Sequence, residues 1–300
     1  MRKSGNGWGK IAVALGESRE NVRAAYRRSV GAKESGYIEK EYKNNGAPVV
    51  AVLDIETLPM IAYTWGMFDQ DISGEQIVSD SCILSWAGKY LNSPQMYSDI
   101  LTPEEASTRD TRRIAQSCWD FLSRVDVVIG HNFANFDAKY INTAFLTHGL
   151  PPLKYIIVDT LQVARNNFRF SSNKMKFINE HLGIRNKLDN SGFPLWRACS
   201  EGDPKSLNEM LSYNVGDIGA TEELYYRVRP YVRNFNTALY SEIDSEVCPV
   251  CGSSDLHNEG YYYTPAGKWQ SVRCSDCGCL SRRKDNLLTR DKRKSLLVNS

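Results

Sequence analysis

The sequence predicts a mixed α/β domain, a five-stranded sheet flanked by helices, with a small helical module before it and a cysteine-rich module after it. Three observations carry that prediction. Between Pro48 and about Tyr240, short apolar runs dense in β-branched residues alternate with segments whose apolar residues recur at helical spacing. A compact helical stretch at 7–30 is set apart by the polar segment GAKESGYIEKEYKNNGAP. Five of the eight cysteines fall between 248 and 279. The resulting map is a helix-turn-helix-like module at 1–32, a linker at 33–47, the α/β domain at 48–240, a cysteine module at 245–283 and a basic tail at 284–300.

In WGKIAVALGESRENVRAAYRR, Ile11, Ala12, Leu15, Gly16, Val22 and Ala25 fall at helix-turn-helix positions. Ala12 is small where two helices would cross, Gly16 permits the turn, and Ser18 can cap the second helix. That helix exposes Arg19, Arg23, Arg27 and Arg28, a row suited to phosphates or a groove of DNA. A helical hairpin for protein contact is the alternative.

In the α/β domain PVVAVLDIET reads as a buried strand, and IAYTWGMF and SCILSWAGKYL as the next two, an antiparallel start. TRRIAQSCWDFLSRV has helical spacing, and VDVVIGH is another buried strand. AKYINTAFLTHG is a helix ending at Gly149, and LKYIIVDT is the fifth strand. Beyond Asp159 the chain reads as helices, among them KMKFINEHLG, SLNEMLSYNV and DIGATEELYYRVRPYV.

Charge is unevenly spread around a net of +2. Residues 1–45 carry ten Lys/Arg against five Asp/Glu, residues 46–244 carry 18 against 24, and residues 245–300 nine against six. An acidic middle between basic ends suits a metal-binding core flanked by surfaces that meet a polyanion; solvated termini give the same balance. No apolar run approaches the roughly 20 residues of a membrane span. The N-terminus has no uninterrupted apolar stretch and no small-residue cleavage site, so the expectation is a cytoplasmic protein without membrane partners.

Three elements in the α/β domain carry acids in a pattern. Asp54 and Glu56 end the first buried strand, and period-two geometry puts both on one face. Two acids at the edge of an apolar core repel and lose solvation, and a divalent cation compensates both losses. In VVIGHNFANFDAKYI a strand runs into a turn with Asn132, and Phe136 and Asp137 open a helix. In MLSYNVGDIGATEEL, Tyr213 and Asp217 stand four residues apart on one helical face.

This order is Asp-x-Glu on a strand, Asn-x-x-x-Phe-Asp at a helix start, then Tyr-x-x-x-Asp on a late helix. It resembles the DEDD superfamily of 3′–5′ exonucleases with a ribonuclease H-like fold, over roughly residues 48–235. The element order of three strands, helix–strand–helix–strand and then helices matches that fold. Position 212 is Ser where the histidine branch would place His, so the resemblance is to the tyrosine branch, which includes proofreading domains of B-family DNA polymerases. The stretch GDPKSLNEMLSYNVGDIGATEELYYRV also resembles stand-alone exonucleases of phages and prokaryotes, which implies a bacterial or phage-infected host cell.

The resemblance implies a site with two Mg²⁺ or Mn²⁺ ions. Asp54, Glu56 and Asp217 would hold one, and Asp54 with Asp137 (through water) the other. Tyr213 would orient the attacking water. Thr57 and Leu58 fall where this family grips the terminal nucleotide, and Asn132 and Phe136 are placed along the same groove. The implied partner is nucleic acid, DNA favoured over RNA, together with replication or repair proteins. An RNA-processing 3′–5′ exoribonuclease, a non-catalytic nucleic-acid-binding protein with a degenerate nuclease fold and a transcription regulator are the other readings. The binding protein would lack a carboxylate, and all four are present, while the regulator leaves the acids unexplained.

Cys248-Pro-Val-Cys251-Gly and Cys274-Ser-Asp-Cys277-Gly are two Cys-x-x-Cys-Gly knuckles. Each glycine permits the tight turn that brings backbone amides to the thiolates. Four thiolates at this spacing satisfy one tetrahedral, structural Zn²⁺, with Cys279 as a spare. Between the knuckles, HNEGYYYTPAGKWQSVR is expected as a β-hairpin turning near Pro265-Ala266-Gly267. Its Tyr261, Tyr262, Tyr263, Trp269, Lys268 and Arg273 suit either single-strand stacking or the module's own core.

Overall fold

A computed structural model describes residues 46–184, 191–241 and 244–298. The helix-turn-helix expected at 1–32 and residues 33–45 of the linker lie outside the described residues.

In chain order the described part opens with β1 (Val50–Leu58), β2 (Ile61–Ala62), β3 (Ile77–Ser79), β4 (Cys82–Tyr90) and β5 (Met96–Ile100). Next come α1 (Pro103–Thr108), α2 (Arg112–Leu122), β6 (Val127–Gly130), α3 (Asp137–Thr147) and β7 (Ile156–Asp159). Helices α4 (Thr160–Asn167), α5 (Met175–Leu182), α6 (Phe193–Ser200) and α7 (Pro204–Val228) follow. The main sheet has the order β5-β4-β1-β6-β7, with β1 antiparallel to β4 and parallel to β6. It is the mixed five-stranded sheet flanked by helices that the sequence predicts.

β1 is central, so both of its faces are covered: Ala51, Val52 and Leu53 are fully buried. On one face Leu53, Leu84, Ile114, Phe121 and Ile141 join one apolar cluster. On the other, Val52, Ile129, Ile218 and Tyr225 join a second. At the end of β6, Gly130 is required by packing, because a Cβ there would stand 2.7 Å from the buried Phe133 side chain.

Two expectations need correction. Of IAYTWGMF only Ile61–Ala62 is strand, paired with β3 away from the main sheet. Tyr63, Trp65 and Phe68 stand in solvent, so the run has apolar residues but no sheet to bury them. The strand that completes the five in its stead is β5, at the edge beyond β4, while LKYIIVDT supplies β7 as expected. The second correction concerns SLNEMLSYNV and DIGATEELYYRVRPYV, which lie largely on one 25-residue helix, α7. Asp203 caps it by accepting the Ser206 N–H at 2.8 Å, and Pro204 occupies its first turn. A buried stripe from Leu207 through Met210, Ile218 and Leu224 to Val228 carries the helix past Gly216 and Gly219.

The cysteine module is a three-stranded sheet of β8 (Leu256–Thr264), β9 (Gly267–Cys274) and β10 (Leu280–Arg282), in the order β10-β9-β8. Cys248, Val250 and Cys274 share the apolar cluster of Val52, Ile218 and Tyr225. Thr237 ties the two further: its N–H donates to the Pro249 carbonyl and its hydroxyl to the Cys248 carbonyl, each at 2.8 Å. The module is thus packed onto the α/β core. The basic tail runs back along it, with the Leu287 N–H donating to the Lys268 carbonyl, and ends in α8 (Arg290–Lys294). No helix among the described residues is long and apolar enough to cross a membrane.

Candidate metal centre

Asp54 and Glu56 leave β1 on one side, as alternation requires, and a bulge between Glu56 and Thr57 follows them. Helix α7 packs against β1 and β4 and brings Asp217 to the same place. One carboxylate oxygen from each of Asp54, Glu56 and Asp217 lies within 4.8 Å of the others. Asp217 is fully buried, while the two strand acids are half-buried. Three carboxylates this close in a partly desolvated setting repel strongly, and a cation is the direct remedy. The set fits one: oxygens on opposite sides of an octahedral shell with bonds of about 2.1 Å stand about 4.2 Å apart. An all-oxygen donor set selects Mg²⁺ or Mn²⁺ over zinc.

Asp137 opens α3, is 3% exposed, and stands outside that trio. Its Oδ1 accepts the N–H of Ile55, the residue between the two strand acids, at 3.0 Å. Burial first, and then the Asp54 charge, hold its carboxyl well above the usual carboxylate range. A raised folded-state pKa means the folded protein binds the proton more tightly than the unfolded chain. The penalty is therefore absent below the ordinary carboxylate range and grows as pH rises toward the folded value. Asp137→Asn, which keeps an acceptor for Ile55, is expected to raise Tm at pH 7 in the absence of divalent ions. The gain disappears in acid, and thermal melts across pH check it.

Asp54 is also oriented from α7. Asn214 Nδ2 donates to Asp54 Oδ2 at 2.9 Å, and Asn214 Oδ1 accepts the Ser85 hydroxyl at 3.1 Å. Asn214 is fully buried, and the sequence reading did not single it out. The available signal was an amide on the apolar stripe of α7, one turn after Met210 and three residues before Asp217. Tyr213, on the same helix, is half-buried with its ring edge-on to Trp196 at 6.5 Å.

The residues expected to touch substrate divide. Thr57 is half-buried and Phe136 is 39% exposed, its ring 5.0 Å from that of Tyr140. Asn132 has a φ of 65°, and its N–H donates to Asp159 Oδ1 at 2.9 Å. The other Asp159 oxygen accepts the Ala134 N–H, so this buried acid, also missed in the sequence, fixes the turn that leads to Asp137. Leu58 corrects the expectation: it is fully buried in the core, because alternation turns it inward three residues after Ile55 through the bulge. Beside Asp54 opens a cavity of about 520 Å³ lined by His131, Asn132, Arg165, Lys174 and Lys176, a cationic wall next to the acids.

At the cysteine module, Cys248 and Cys277 sulfurs are 3.5 Å apart and Cys251 and Cys274 sulfurs 3.6 Å. All four lie within 4.8 Å of one another. A tetrahedral zinc with bonds of about 2.3 Å separates its sulfurs by about 3.8 Å, so the set fits that ion. Gly252 and Gly278 take φ of 77° and 74°, and their N–H groups donate back to the Cys248 and Cys274 carbonyls. Cys279 is buried beside the cluster and outside the four.

Residues 87–229 match the family model described as the RNase_H superfamily. That stretch is a ribonuclease H-like superfamily domain, and the match begins within β4, after Asp54 and Glu56. DNA polymerase III PolC-type of Listeria innocua is 23% identical over 85% of this chain and 19% of its own length. The Listeria welshimeri protein of the same name is 22% identical over the same shares. The chain thus spans about a fifth of the length of these curated relatives. Among solved structures, the family B DNA polymerase of the archaeon Pyrobaculum calidifontis covers 61% of this chain and 25% of its own, at 17% identity and a TM-score of 0.44.

Proposed function

We propose that this ribonuclease H-like domain is a two-metal-dependent 3′–5′ exonuclease that hydrolyses DNA from single-stranded 3′ ends, in replication or repair. The observation that carries the reading is the convergence of Asp54, Glu56 and Asp217, far apart in the chain, to within 4.8 Å. Two divalent cations, when bound, activate the attacking water and stabilise the leaving 3′-oxygen.

The chain's own groups then have definite tasks. Asp54, Glu56 and Asp217 would hold one ion, and Asp54 with Asp137, through water, would hold the other. Asn214 fixes the orientation of the Asp54 carboxylate, and Ser85 keeps Asn214 in place. Arg165, Lys174 and Lys176, on the wall of the adjoining cavity, meet the phosphates of the strand. Preference for DNA over RNA follows the DNA polymerases to which the chain is similar.

Tyr213 positions the attacking water. A phenol, with a pKa near ~10 in water, is a poor base at neutral pH, so orientation is its contribution. Tyr213→Phe is expected to slow hydrolysis roughly tenfold without eliminating it, read from single-turnover rates. A wild-type rate would remove the tyrosine from the mechanism.

The test is incubation of 5′-labelled single-stranded DNA, duplex DNA and RNA with Mg²⁺ or without divalent ions. Single-stranded DNA is expected to shorten stepwise from its 3′ end only when Mg²⁺ is present. Preferred shortening of RNA would move the assignment to an exoribonuclease. Failure to shorten any of the three would refute it.

A further inference from the structure

The tyrosines of β8 are surplus to the packing of the cysteine module. Its interior is supplied by Cys248, Val250, Val272, Cys274 and Cys279, all buried. Tyr261, Tyr262 and Tyr263 remain 50%, 48% and 63% exposed. Of the two uses their composition allows, the module's own core is therefore already filled without them.

Strand alternation divides the three between two faces. Tyr262 lies opposite Trp269 with ring centroids 6.0 Å apart, and the Arg282 guanidinium covers Trp269 at 4.6 Å. Trp269 also folds over Gly267, where a Cβ would fall 2.0 Å from its ring. On that face the Tyr262 and Trp269 rings and the Arg282 guanidinium are engaged with one another.

The other face is open. Tyr261 and Tyr263 stand 6.3 Å apart with Lys268 Nζ 3.8 Å over the first ring and 5.7 Å from the second. β8 is an edge strand, so among the described residues no further strand flanks them on one side. This part of the chain is net positive: residues 256–298 carry nine Lys/Arg against four Asp/Glu. Arg273 is engaged with Glu259, and among the described residues Lys268 is the cation set over the Tyr261 and Tyr263 rings.

We propose that Tyr261, Tyr263 and Lys268 form a second nucleic-acid site, a stacking platform for single-stranded DNA separate from the carboxylate centre. Two exposed aromatic faces accept unpaired bases of any sequence, and one ammonium between them meets the connecting phosphate. Paired bases would not present their faces to such a platform. An acidic protein surface would find the lysine but gain little from the rings. The site goes beyond the exonuclease reading and stands without it, since binding here involves no hydrolysis.

The test uses the full chain carrying Asp54→Ala, in buffer without chelator so that the cysteine cluster keeps its metal, and without Mg²⁺. Fluorescence anisotropy compares a labelled twelve-nucleotide dT strand with an abasic strand of equal phosphate count. Replacing Tyr261 and Tyr263 together with Ser is expected to weaken binding of the dT strand at least tenfold, from roughly a tenfold loss per stacked base. Binding of the abasic strand stays the same. Lys268→Gln weakens both strands and lowers the salt slope by about 0.7. The paired Phe variants, which keep both rings and guard against a folding defect, retain wild-type affinity. Equal binding of the dT strand by the Ser variants and their parent would overturn the proposal, and so would an equal loss in the Phe variants.

Discussion

Asp54→Ala and Asp217→Ala are each expected to abolish degradation of a labelled single strand, lowering the rate by at least about 10³-fold while the protein stays folded. Each tenfold corresponds to about 1.36 kcal/mol of barrier, and charge stabilisation by a bound metal supplies several kcal/mol. Removing one of three carboxylates that would hold an ion would leave it neither charge-balanced nor correctly placed. The fold should survive, because in the absence of metal the three carboxylates repel within 4.8 Å and removing one relieves the repulsion. Asp217 is fully buried, so Asp217→Asn, which keeps its volume, is the companion variant that separates lost charge from a cavity. Single-turnover rates with thermal melts on the same preparations give the answer; a rate within tenfold of wild type in both alanine variants contradicts the assignment.

The second large effect belongs to the cysteine cluster. Cys274→Ser removes one of four thiolates, and structural zinc contributes about 10–16 kcal/mol to the folding of small zinc modules. A module joined only by a linker would unfold alone. Here Cys248, Val250 and Cys274 share an apolar cluster with Val52, Ile129, Ile218 and Tyr225 of the α/β core. Loss of the metal therefore exposes one face of the sheet as well. The expected result is loss of bound zinc together with a fall of more than about 10 °C in the main thermal transition, since several kcal/mol shift Tm by about 2–4 °C each in a domain of this size. Zinc content by elemental analysis and melting by circular dichroism check it. An unchanged main transition would mean that the module and the core are thermodynamically independent.

What could be read from the chain, and what could not, follows from the range of the interactions involved. The period-two spacing of Asp54 and Glu56, the helix start at Asp137 and the four-residue step from Tyr213 to Asp217 are local patterns. Each is set by backbone geometry within one element, and the structure brings three of those acids together. The knuckles were legible for the same reason, since Gly252 and Gly278 serve turns closed within five residues.

Asn214 and Asp159 were not legible, because their partners lie far away in sequence. Asn214 reaches Asp54 across 160 positions, and Asp159 reaches Asn132 across 27. Nothing local distinguishes either from an ordinary polar residue. IAYTWGMF misled in the opposite direction: its aromatic content satisfies strand preference, but the chain leaves the main sheet at Leu58, and only Ile61–Ala62 finds a partner, the short β3. β5, with only Met96 and Ile100 as clear apolar residues, has the weak signal of an edge strand. Gly216 and Gly219 suggested an interruption in α7 that its long buried stripe overrides.

A cation between Asp54, Glu56 and Asp217 is the step from which the hydrolytic chemistry follows, and Mn²⁺ makes it directly visible. In crystals grown with Mn²⁺, an anomalous difference peak is expected within about 2.1–2.3 Å of one oxygen from each of the three carboxylates. Manganese bound elsewhere, with those three carboxylates left uncoordinated at saturating metal, would contradict it.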